Sequence, residues 1–386
     1  MDLELLDQIL ADRGEPPFRA RQVWSWAARG VAGYAQMTDL PASLREALEV
    51  ELPFSTLALR DQAHAADGTV KALLETADRR PLEAVLMRYR DRPGQRAGGR
   101  RSICVSSQSG CPLTCSFCAT GTMRFARNLS SSEIVDQALH FRRMEAIDHC
   151  VFMGMGEPML NLDAVLGACE RLPDLGITHR RTTISTVGWI PGIERLAESG
   201  MPIRLALSLH AADDALRSEL MPVNERYPVA QVIEACRAFY RRRHRRVFIE
   251  YVMLAGVNDR YEQALALARL LAPAPAPHTP PRGRSGSAAA ARLAREGREG
   301  REARMFQVNL IPYNPPAGTS APFGCSTRES IAAFRAALAE HGVEATVRLT
   351  RGRDIAAACG QLAASEAIGG PPELREMPRS SCAKPS

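Results

Sequence analysis

The sequence has almost no lysine, few aromatic residues and no long apolar segment. Two of its 49 basic residues are lysines, Lys71 and Lys384, and Phe, Trp and Tyr make up 5% of the 386 residues. No hydrophobic run approaches the ~18 residues that a transmembrane helix needs, so we expect no membrane span. The acidic, amphipathic start MDLELLDQIL lacks the basic and apolar regions of a secretory signal. These absences predict a cytoplasmic protein.

Several signatures of common cofactor and metal sites are also missing. The sequence contains no GxGxxG motif and no P-loop, and GMGEP is too short to be a phosphate cradle. Ten cysteines are present without an export signal. They are therefore expected as reduced thiols, metal ligands or catalytic groups rather than as a disulfide framework.

The most informative segment is the cysteine-rich run from Cys104 to Leu129. Within it, Cys111, Cys115 and Cys118 have the spacing C-x3-C-x2-C. Structural zinc usually has four protein ligands in two separated pairs, and no second pair follows here. Three thiolates on one loop suit an iron–sulfur cluster that leaves one iron open. A zinc loop or a group of reduced core cysteines stays as the alternative.

This loop, with Phe117 before its third cysteine, resembles the cluster loop of the radical S-adenosylmethionine (SAM) enzymes. The flanking segments CVSSQ-x-GC, CATG and FARNL-x-x-x-EIV resemble one branch, the RlmN/Cfr adenine methyltransferases. The resemblance extends from about residue 14 to about residue 365 through the segments GMGEPMLN, ISTVGWIPGI, SLHAADDALRSELMPVN, FIEYVMLAGVND, VNLIPYNP and RGRDIAAACGQL.

Apolar segments of strand length recur from Ser102 onward, with helical segments between most of them. They are Ser102–Ser106, Cys150–Met153, Thr182–Val187, Ile203–Leu209, Val247–Leu254, Gln307–Pro312 and Thr346–Leu349. This alternation is typical of a parallel sheet covered by helices. We expect an α/β fold, a partial (β/α)6-type barrel, which the radical SAM resemblance also implies.

A small helical module and a β-hairpin are predicted ahead of the barrel. Apolar residues at helical spacing predict three helices in the module, in which Trp24 and Trp26 are interpreted as core anchors rather than base-stacking platforms. The family resemblance associates this module with RNA binding. Val70–Glu75 and Leu82–Tyr89 predict the hairpin. The predicted units are residues 1–52, 53–100 and 101–365, with a flexible insert at 272–304 and a disordered tail at 366–386.

Basic residues are in mild excess and are unevenly distributed. The formal net charge is +6 and the isoelectric point about 8.9, which is compatible with a nucleic-acid partner. The densest block is Arg241–Arg246, with the sequence RRRHRR. Such a run is more often a solvated face than a phosphate-binding track, and both interpretations stay open here.

Glycine and polar residues follow the predicted strands at their carboxyl ends. In β/α barrels these ends and their loops form the active site, so the residues are expected to surround one mouth. The resemblance implies that Cys111, Cys115 and Cys118 ligate a 4Fe-4S cluster whose open iron chelates SAM. It assigns contacts with SAM to Gly156, Glu157, Ser185, Ser208, Leu209, His210 and Asn314.

Three further residues receive catalytic roles. Glu83 is in phase with Val85 and Met87 on a partly buried strand face, where a carboxylate can act as a base. Its segment LEAVLM resembles the family's base-bearing strand, which makes Glu83 the expected proton acceptor. Sequence alone describes Cys359 as a small buried cysteine. The resemblance makes Cys359 the S-methylcysteine and makes Cys104 the residue that resolves the product by forming a disulfide with Cys359.

The implied reaction uses two SAM molecules per turnover. One methylates Cys359, and the second yields a 5′-deoxyadenosyl radical that abstracts hydrogen from the S-methyl group. The resulting carbon radical adds to an adenine ring carbon and forms a covalent RNA adduct. Because C2 and C8 of adenine are electron-poor, direct displacement on SAM would fail there. The cofactors supply most of this chemistry, and the protein supplies geometry.

The expected substrates are C2 of an adenine in the peptidyl-transferase centre of 23S rRNA and C2 of adenine-37 of tRNA. A Cfr-like enzyme that methylates C8 is the nearest alternative, and a zinc-stabilised RNA-binding protein without catalysis is a remote one. The resemblance also implies an electron donor such as flavodoxin, and we expect a monomer.

Overall fold

The computed structural model describes residues 1–89, 99–272, 305–315 and 323–362. The predicted insert, apart from Ala272, and the predicted tail lie outside these residues. The interpretations of both segments therefore stay predictions.

Three helices form the amino-terminal region, as the sequence predicted. They are α1 (Leu3–Asp12), α2 (Phe18–Arg29) and α3 (Ala42–Glu51). Asp2 begins α1 by accepting hydrogen bonds from the backbone N–H groups of Glu4 and Leu5. The Trp24 side chain is 8% exposed, and its indole N–H donates to Asp174 Oδ2 at 2.6 Å. Trp24 is thus a core anchor that ties these helices to the rest of the protein.

A ten-stranded sheet forms the centre of the protein. Its first three strands, β1 (Leu57–His64), β2 (Val70–Thr76) and β3 (Pro81–Tyr89), are antiparallel to one another. Strand β3 also pairs in antiparallel fashion with β4 (Arg100–Cys104). The predicted hairpin is therefore present as β2–β3, and it extends the barrel sheet.

The barrel consists of parallel strands alternating with helices. The remaining strands are β5 (Gln108–Ser109), β6 (Arg127–Asn128), β7 (His149–Phe152), β8 (Thr182–Thr186), β9 (Arg204–Ser208), β10 (Val247–Met253), β11 (Phe306–Pro312) and β12 (Ala345–Val347). The helices are α4 (Ser131–Met144), α5 (Leu162–Arg171), α6 (Ile190–Glu198), α7 (Asp214–Leu220), α8 (Val229–Arg243), α9 (Tyr261–Leu271) and α10 (Arg328–Glu340). The short strands β5 and β6 pair only with each other.

Strands β4, β7, β8, β9, β10, β11 and β12 run parallel in this spatial order. Among the described residues, β12 does not pair with β4 or β1, so the barrel is open on one side. Side chains of the long strands fill its core: Ile103, Ile184, Leu205, Ile249 and Leu310 are 0% exposed. Because the strands are parallel, their carboxyl ends lie at one mouth of the barrel and their amino ends at the other.

No helix in the described part of the chain is long and apolar enough to cross a membrane.

Candidate active site

A cavity of about 160 Å³ lies at the carboxyl ends of the parallel strands. The structure brings nine of the predicted site residues to its wall: Cys111, Cys115, Cys118, Gly156, Glu157, Ser185, Ser208, His210 and Cys359. They come from the loops after β4, β7 and β9, from the last residues of β8 and β9, and from the segment after β12. Four other predicted residues, Glu83, Cys104, Leu209 and Asn314, lie outside this wall.

The cysteine loop is held in a tight conformation. Cys118 N–H donates to Cys115 O at 3.2 Å, and Ser116 N–H donates to Leu220 O at 3.0 Å. A Cβ atom on Gly121 would lie 2.7 Å from Cys115 O, so only glycine allows this close approach. Ala119 N–H donates to the carbonyl oxygen of Gly360, the residue after Cys359, at 2.8 Å. The cysteine loop and the Cys359 segment are therefore joined directly.

The thiols of this loop are desolvated. Burial raises the pKa of Cys111 to about 12, and a smaller increase comes from Cys118. Burial also raises the pKa of Cys115 well above its usual value, with smaller increases from Cys118 and Cys111. A cationic metal centre would reverse this preference, because it stabilises thiolates.

The three thiols fit an iron–sulfur cluster better than a single metal ion. Within the described ranges, no three His, Cys, Asp or Glu side chains converge on one ion position. A structural zinc ion requires such convergence. The thiolates of a cubane cluster bind separate irons, so they can share a cavity without converging. All three cysteines line the cavity described above.

Glu157 organises the loop after β7. Its carboxylate accepts the N–H groups of Met159 at 3.0 Å and Val187 at 2.9 Å. Burial raises the pKa of Glu157 to about 7, although these backbone hydrogen bonds lower it. Gly156 has a φ of 94°, and a Cβ there would lie 2.5 Å from the Gln108 side chain. The glycine therefore lets the loop pack closely against Gln108.

His210 is a neutral hydrogen-bonding group in this wall. Its Nδ1 accepts the N–H of Val252 at 3.0 Å, which leaves Nε2 as the protonated nitrogen. Burial lowers the pKa of His210 to about 3, and Arg217 lowers it further. The ring meets Phe117 edge-on, with centroids 4.6 Å apart. Its φ of 60° is in the left-handed region, a strained conformation for histidine.

The other predicted SAM contacts differ in position. Ser185 Oγ and Ser208 Oγ are 3.3 Å apart at the ends of β8 and β9. Leu209 is fully buried, and its backbone contacts Glu250 and Arg217. Asn314 is 2% exposed, and its Oδ1 has no hydrogen-bond partner among the described residues. An unpaired buried amide oxygen at the end of a barrel strand suits a ligand contact.

The two predicted redox cysteines are both free thiols. Cys104 ends β4 opposite Val85 of β3 and is buried. The Cys359 thiol is exposed to the cavity, and the surrounding protein still desolvates it enough to raise its pKa. Burial and then the nearby charge of Cys359 raise the pKa of Cys104 to about 12, whereas Arg348 lowers it. A thiolate at Cys359 therefore disfavours the thiolate of Cys104.

Glu83 lies beside the Cys359 segment. It is 4% exposed, and its Oε1 is 2.9 Å from Lys71 Nζ. Lys71 Nζ also donates to Ala356 O at 3.3 Å, three residues before Cys359. One of the two lysines thus bridges the hairpin and the Cys359 segment. The sequence contained no signal for this bridge apart from the rarity of lysine.

The structure adds Glu250 and Arg348, which sequence reasoning missed. Glu250 lines the cavity and is 2% exposed. Its Oε1 accepts from Arg348 Nη2 at 3.1 Å and from Asn309 Nδ2 at 2.8 Å, whereas its Oε2 has no hydrogen-bond partner among the described residues. A carboxylate within the apolar segment FIEYVML was an available signal for a functional residue.

Arg217 is a third residue that sequence reasoning missed. It is 0% exposed and donates to Leu209 O at 3.1 Å, Asn224 Oδ1 at 2.8 Å and Val187 O at 2.6 Å. It therefore connects the loops after β8 and β9. Nothing in its helical sequence context distinguished it from a surface arginine.

Family models match two regions of the chain. Residues 105–268 match the radical SAM superfamily, and residues 1–52 match the ribosomal RNA large subunit methyltransferase N-terminal domain. A Chloroflexus aurantiacus protein named "Probable dual-specificity RNA methyltransferase RlmN" is 44% identical over 382 residues, covering 95% of this chain and 92% of that protein. The "Dual-specificity RNA methyltransferase RlmN" of an Anaeromyxobacter species is 38% identical over 397 residues, covering 98% of this chain and 94% of that protein.

A solved structure agrees with these relatives. The crystal structure of a radical SAM methyltransferase from Sphaerobacter thermophilus has a TM-score of 0.79 and 39% identity, covering 95% of this chain and 98% of that one. This similarity confirms the predicted radical SAM fold. Together with the two family models and the identity to named relatives, it shows that the chain belongs to the RlmN family of radical SAM methyltransferases.

Proposed function

We propose that this protein methylates C2 of an adenine in 23S rRNA, and an adenine of tRNA, in the cytoplasm. The observation that carries the proposal is the shared cavity, which Cys359 lines together with Cys111, Cys115 and Cys118. A methyl-carrying thiol must lie next to the centre that activates it. The printed names of the relatives, which refer to RNA methyltransferases of dual specificity, support both RNA substrates.

The 4Fe-4S cluster and SAM, the cofactors of this family, supply the methyl group and the one-electron chemistry. Cys111, Cys115 and Cys118 would hold the cluster. Five other residues that line the cavity would contact SAM: Gly156, Glu157, Ser185, Ser208 and His210, together with the buried residues Leu209 and Asn314. The protein would keep this region dry, since its polar groups are mostly buried and hydrogen-bonded within the fold.

Cys359 would carry the methyl group to the adenine and become covalently attached to it through a methylene group. Cys104 would then attack the Cys359 sulfur as a thiolate. The S–S bond forms while the S–CH2 bond breaks, its electron pair goes to the methylene carbon, and a proton completes the methyl group. Two thiol sulfurs are oxidised and one carbon is reduced. Arg348 supports this role because its positive charge favours the Cys104 thiolate.

Glu83 would accept the proton from the adenine ring carbon. Its support is positional, because Lys71 contacts both Glu83 and the backbone of Ala356, three residues before Cys359. Residues 1–52 would bind RNA, as the matching family domain suggests. We further propose that the protein is a monomer and receives its electrons from a donor such as flavodoxin.

The proposal is tested with anaerobically reconstituted full-length protein, SAM, a reductant, and 23S rRNA or tRNA. We expect mass spectrometry of the digested RNA to show 2-methyladenosine in both RNAs. Cys359→Ala protein should yield no methylated adenosine and serves as the control. Formation of 8-methyladenosine would replace the C2 assignment with the Cfr-like one. A loaded enzyme that methylates neither RNA would overturn the proposal.

A further inference from the structure

A second cavity, of about 1010 Å³, lies at the opposite mouth of the barrel. Its wall includes residues at the amino ends of the parallel strands, among them Arg100 of β4, His149 of β7, Arg204 of β9 and Phe248 of β10. The candidate active site lies at the carboxyl ends. The proposed methyl transfer therefore does not account for this cavity.

Arginines that lack carboxylate partners concentrate at this mouth. Arg204 is half-buried, and burial and then Arg100 lower its pKa. Arg245, half-buried just before β10, has its pKa lowered by burial and then by Arg204, Arg180 and Arg243. Within the described ranges neither Arg204 nor Arg245 forms a salt bridge, and Arg245 Nε is buried without a hydrogen-bond partner. Arg100 also has no salt-bridge partner in the described part of the chain, so these guanidinium groups repel one another there without a carboxylate counter-charge.

The arginine block RRRHRR divides into two groups in the structure. Arg241 pairs with Glu234 at 2.6 Å, and Arg246 pairs with Glu344 at 2.8 Å. Arg243 donates to the carbonyl oxygen of Gly200. These three contacts suit a solvated, structural face. Arg245 has no such partner in the described part of the chain and interacts with Arg204, which lines the cavity.

The carboxylates near this cavity are already engaged. Glu145 pairs with Arg88 and Arg101, both at 2.5 Å. Asp148 accepts from the Arg101 backbone N–H at 3.0 Å and contacts His149 Nδ1 at 2.8 Å. A third carboxylate, Glu250, is bound to Arg348, which also lines the cavity. Among the described residues, the positive charge of Arg100 and Arg204 thus has no free carboxylate counterpart in the wall.

Two of the cavity arginines are held against aromatic rings. The Arg100 guanidinium lies 3.9 Å from the centroid of Tyr89, and that of Arg204 lies 6.0 Å from the centroid of Phe248. Such stacking orients a planar guanidinium while its N–H donors stay available for an anion. A phosphate group matches this arrangement, since it accepts several charge-assisted hydrogen bonds at once.

We propose that this mouth of the barrel is a phosphate-binding site in which Arg100 and Arg204, which both line the cavity, are the principal ligands. The phosphate can belong to the RNA backbone, at nucleotides remote from the target adenine, or to a small phosphorylated ligand. The RNA source rests on the proposed function, whereas the small-ligand source does not. The site would have no part in methyl transfer itself.

The test uses the full-length holoprotein with Arg100→Gln and Arg204→Gln combined. The matched control combines Arg241→Gln and Arg246→Gln, which removes the same charge from arginines that have carboxylate partners. Equilibrium binding to substrate RNA is measured across a salt series, and pyrophosphate binding is measured by calorimetry. Arg204→Lys and the single Arg100→Gln variant serve if the double variant does not fold. Iron content and circular dichroism show whether each variant is intact.

Each result has a defined meaning. If RNA is the source, the double variant binds RNA more weakly, and its salt slope falls by about 0.7–0.9 for each lost phosphate contact, whereas the control keeps the wild-type slope. If a small ligand is the source, RNA binding is unchanged, and pyrophosphate binds the wild type and the control but not the double variant. The proposal is overturned if the double variant and the control behave alike in both measurements. The pyrophosphate measurement needs no methylation, so its outcome is independent of the proposed function.

Discussion

The two mouths of the barrel differ in size, charge and the state of their polar groups. The carboxyl-end cavity is about 160 Å³ and is lined by thiols and by a histidine whose pKa burial lowers to about 3. The amino-end cavity is about 1010 Å³ and contains arginines without carboxylate partners in the described residues. One mouth therefore favours neutral groups and metal-bound thiolates, whereas the other favours anions. Changes in metal content and pH should affect the first, and changes in salt should affect the second.

The largest effect is expected from a ligand of the proposed cluster. Cys115→Ala should lose the brown iron–sulfur chromophore and all SAM cleavage, because two thiolates hold a cubane cluster poorly. Iron and sulfide analysis of anaerobically purified protein measures this loss. Cys236→Ala, which alters a fully buried cysteine of α8, is the control and should keep its iron. A Cys115→Ala protein with full iron and turnover would contradict the assignment.

The next largest effect distinguishes the roles of two thiols, that of Cys359 in the carboxyl-end cavity and that of Cys104 at the end of β4. Cys359→Ala should form no covalent RNA adduct, because the methyl carrier is gone. Cys104→Ala should accumulate protein cross-linked to RNA, because the adduct forms but no thiolate can release it. RNA retained on denatured protein, with a nuclease-treated sample as control, measures the difference. RNA-free protein in both variants would return Cys104 to a structural role.

A moderate effect concerns pH at the same mouth. The pKa of Cys104 is raised to about 12, so its thiolate fraction increases about tenfold for each pH unit between pH 7 and 9. In Cys359→Ala protein, the rate of Cys104 alkylation should therefore also increase about tenfold for each pH unit over this range. Arg348→Met should slow alkylation by roughly 3- to 10-fold at each pH, because its charge favours the thiolate.

The measurement for this prediction is peptide mapping by mass spectrometry after timed alkylation. Arg60→Met, which removes an arginine paired with Glu75 in the hairpin, is the control and should leave the rate unchanged. An Arg348→Met rate equal to that of the control would show that Arg348 does not stabilise the thiolate.

The smallest effect is expected at the paired arginines outside the amino-end cavity. Arg241 and Glu234 have side chains that are 57% and 58% exposed, so their ion pair is weakened by solvent and salt. Arg241→Gln should change the free energy of unfolding by less than about 1 kcal/mol. Urea denaturation monitored by circular dichroism measures this change. A loss of several kcal/mol would mean that the arginine block is a structural element throughout.

Strand and helix positions were largely predictable, because they depend on local apolar periodicity. The predicted strand Thr182–Val187 is β8 (Thr182–Thr186), and the predicted strand Val247–Leu254 is β10 (Val247–Met253). The meeting of the cavity residues was also predictable, since the carboxyl ends of parallel strands share one mouth. The roles of Glu83, Cys104 and Cys359, in contrast, came only from the family resemblance and stay predictions.

The sequence by itself determined the fold class, the cysteine loop and the set of strand ends at which chemistry can occur. Only the tertiary structure decided which charges have partners. Arg348 meets Glu250, 98 positions earlier in the chain, Lys71 bridges Glu83 and Ala356, and Arg245 lacks the carboxylates that Arg241 and Arg246 have. The physical reason is that periodicity describes which way a side chain points from its own strand or helix. Pairing between charges instead depends on the register and curvature of the sheet, which bring distant segments within hydrogen-bond distance.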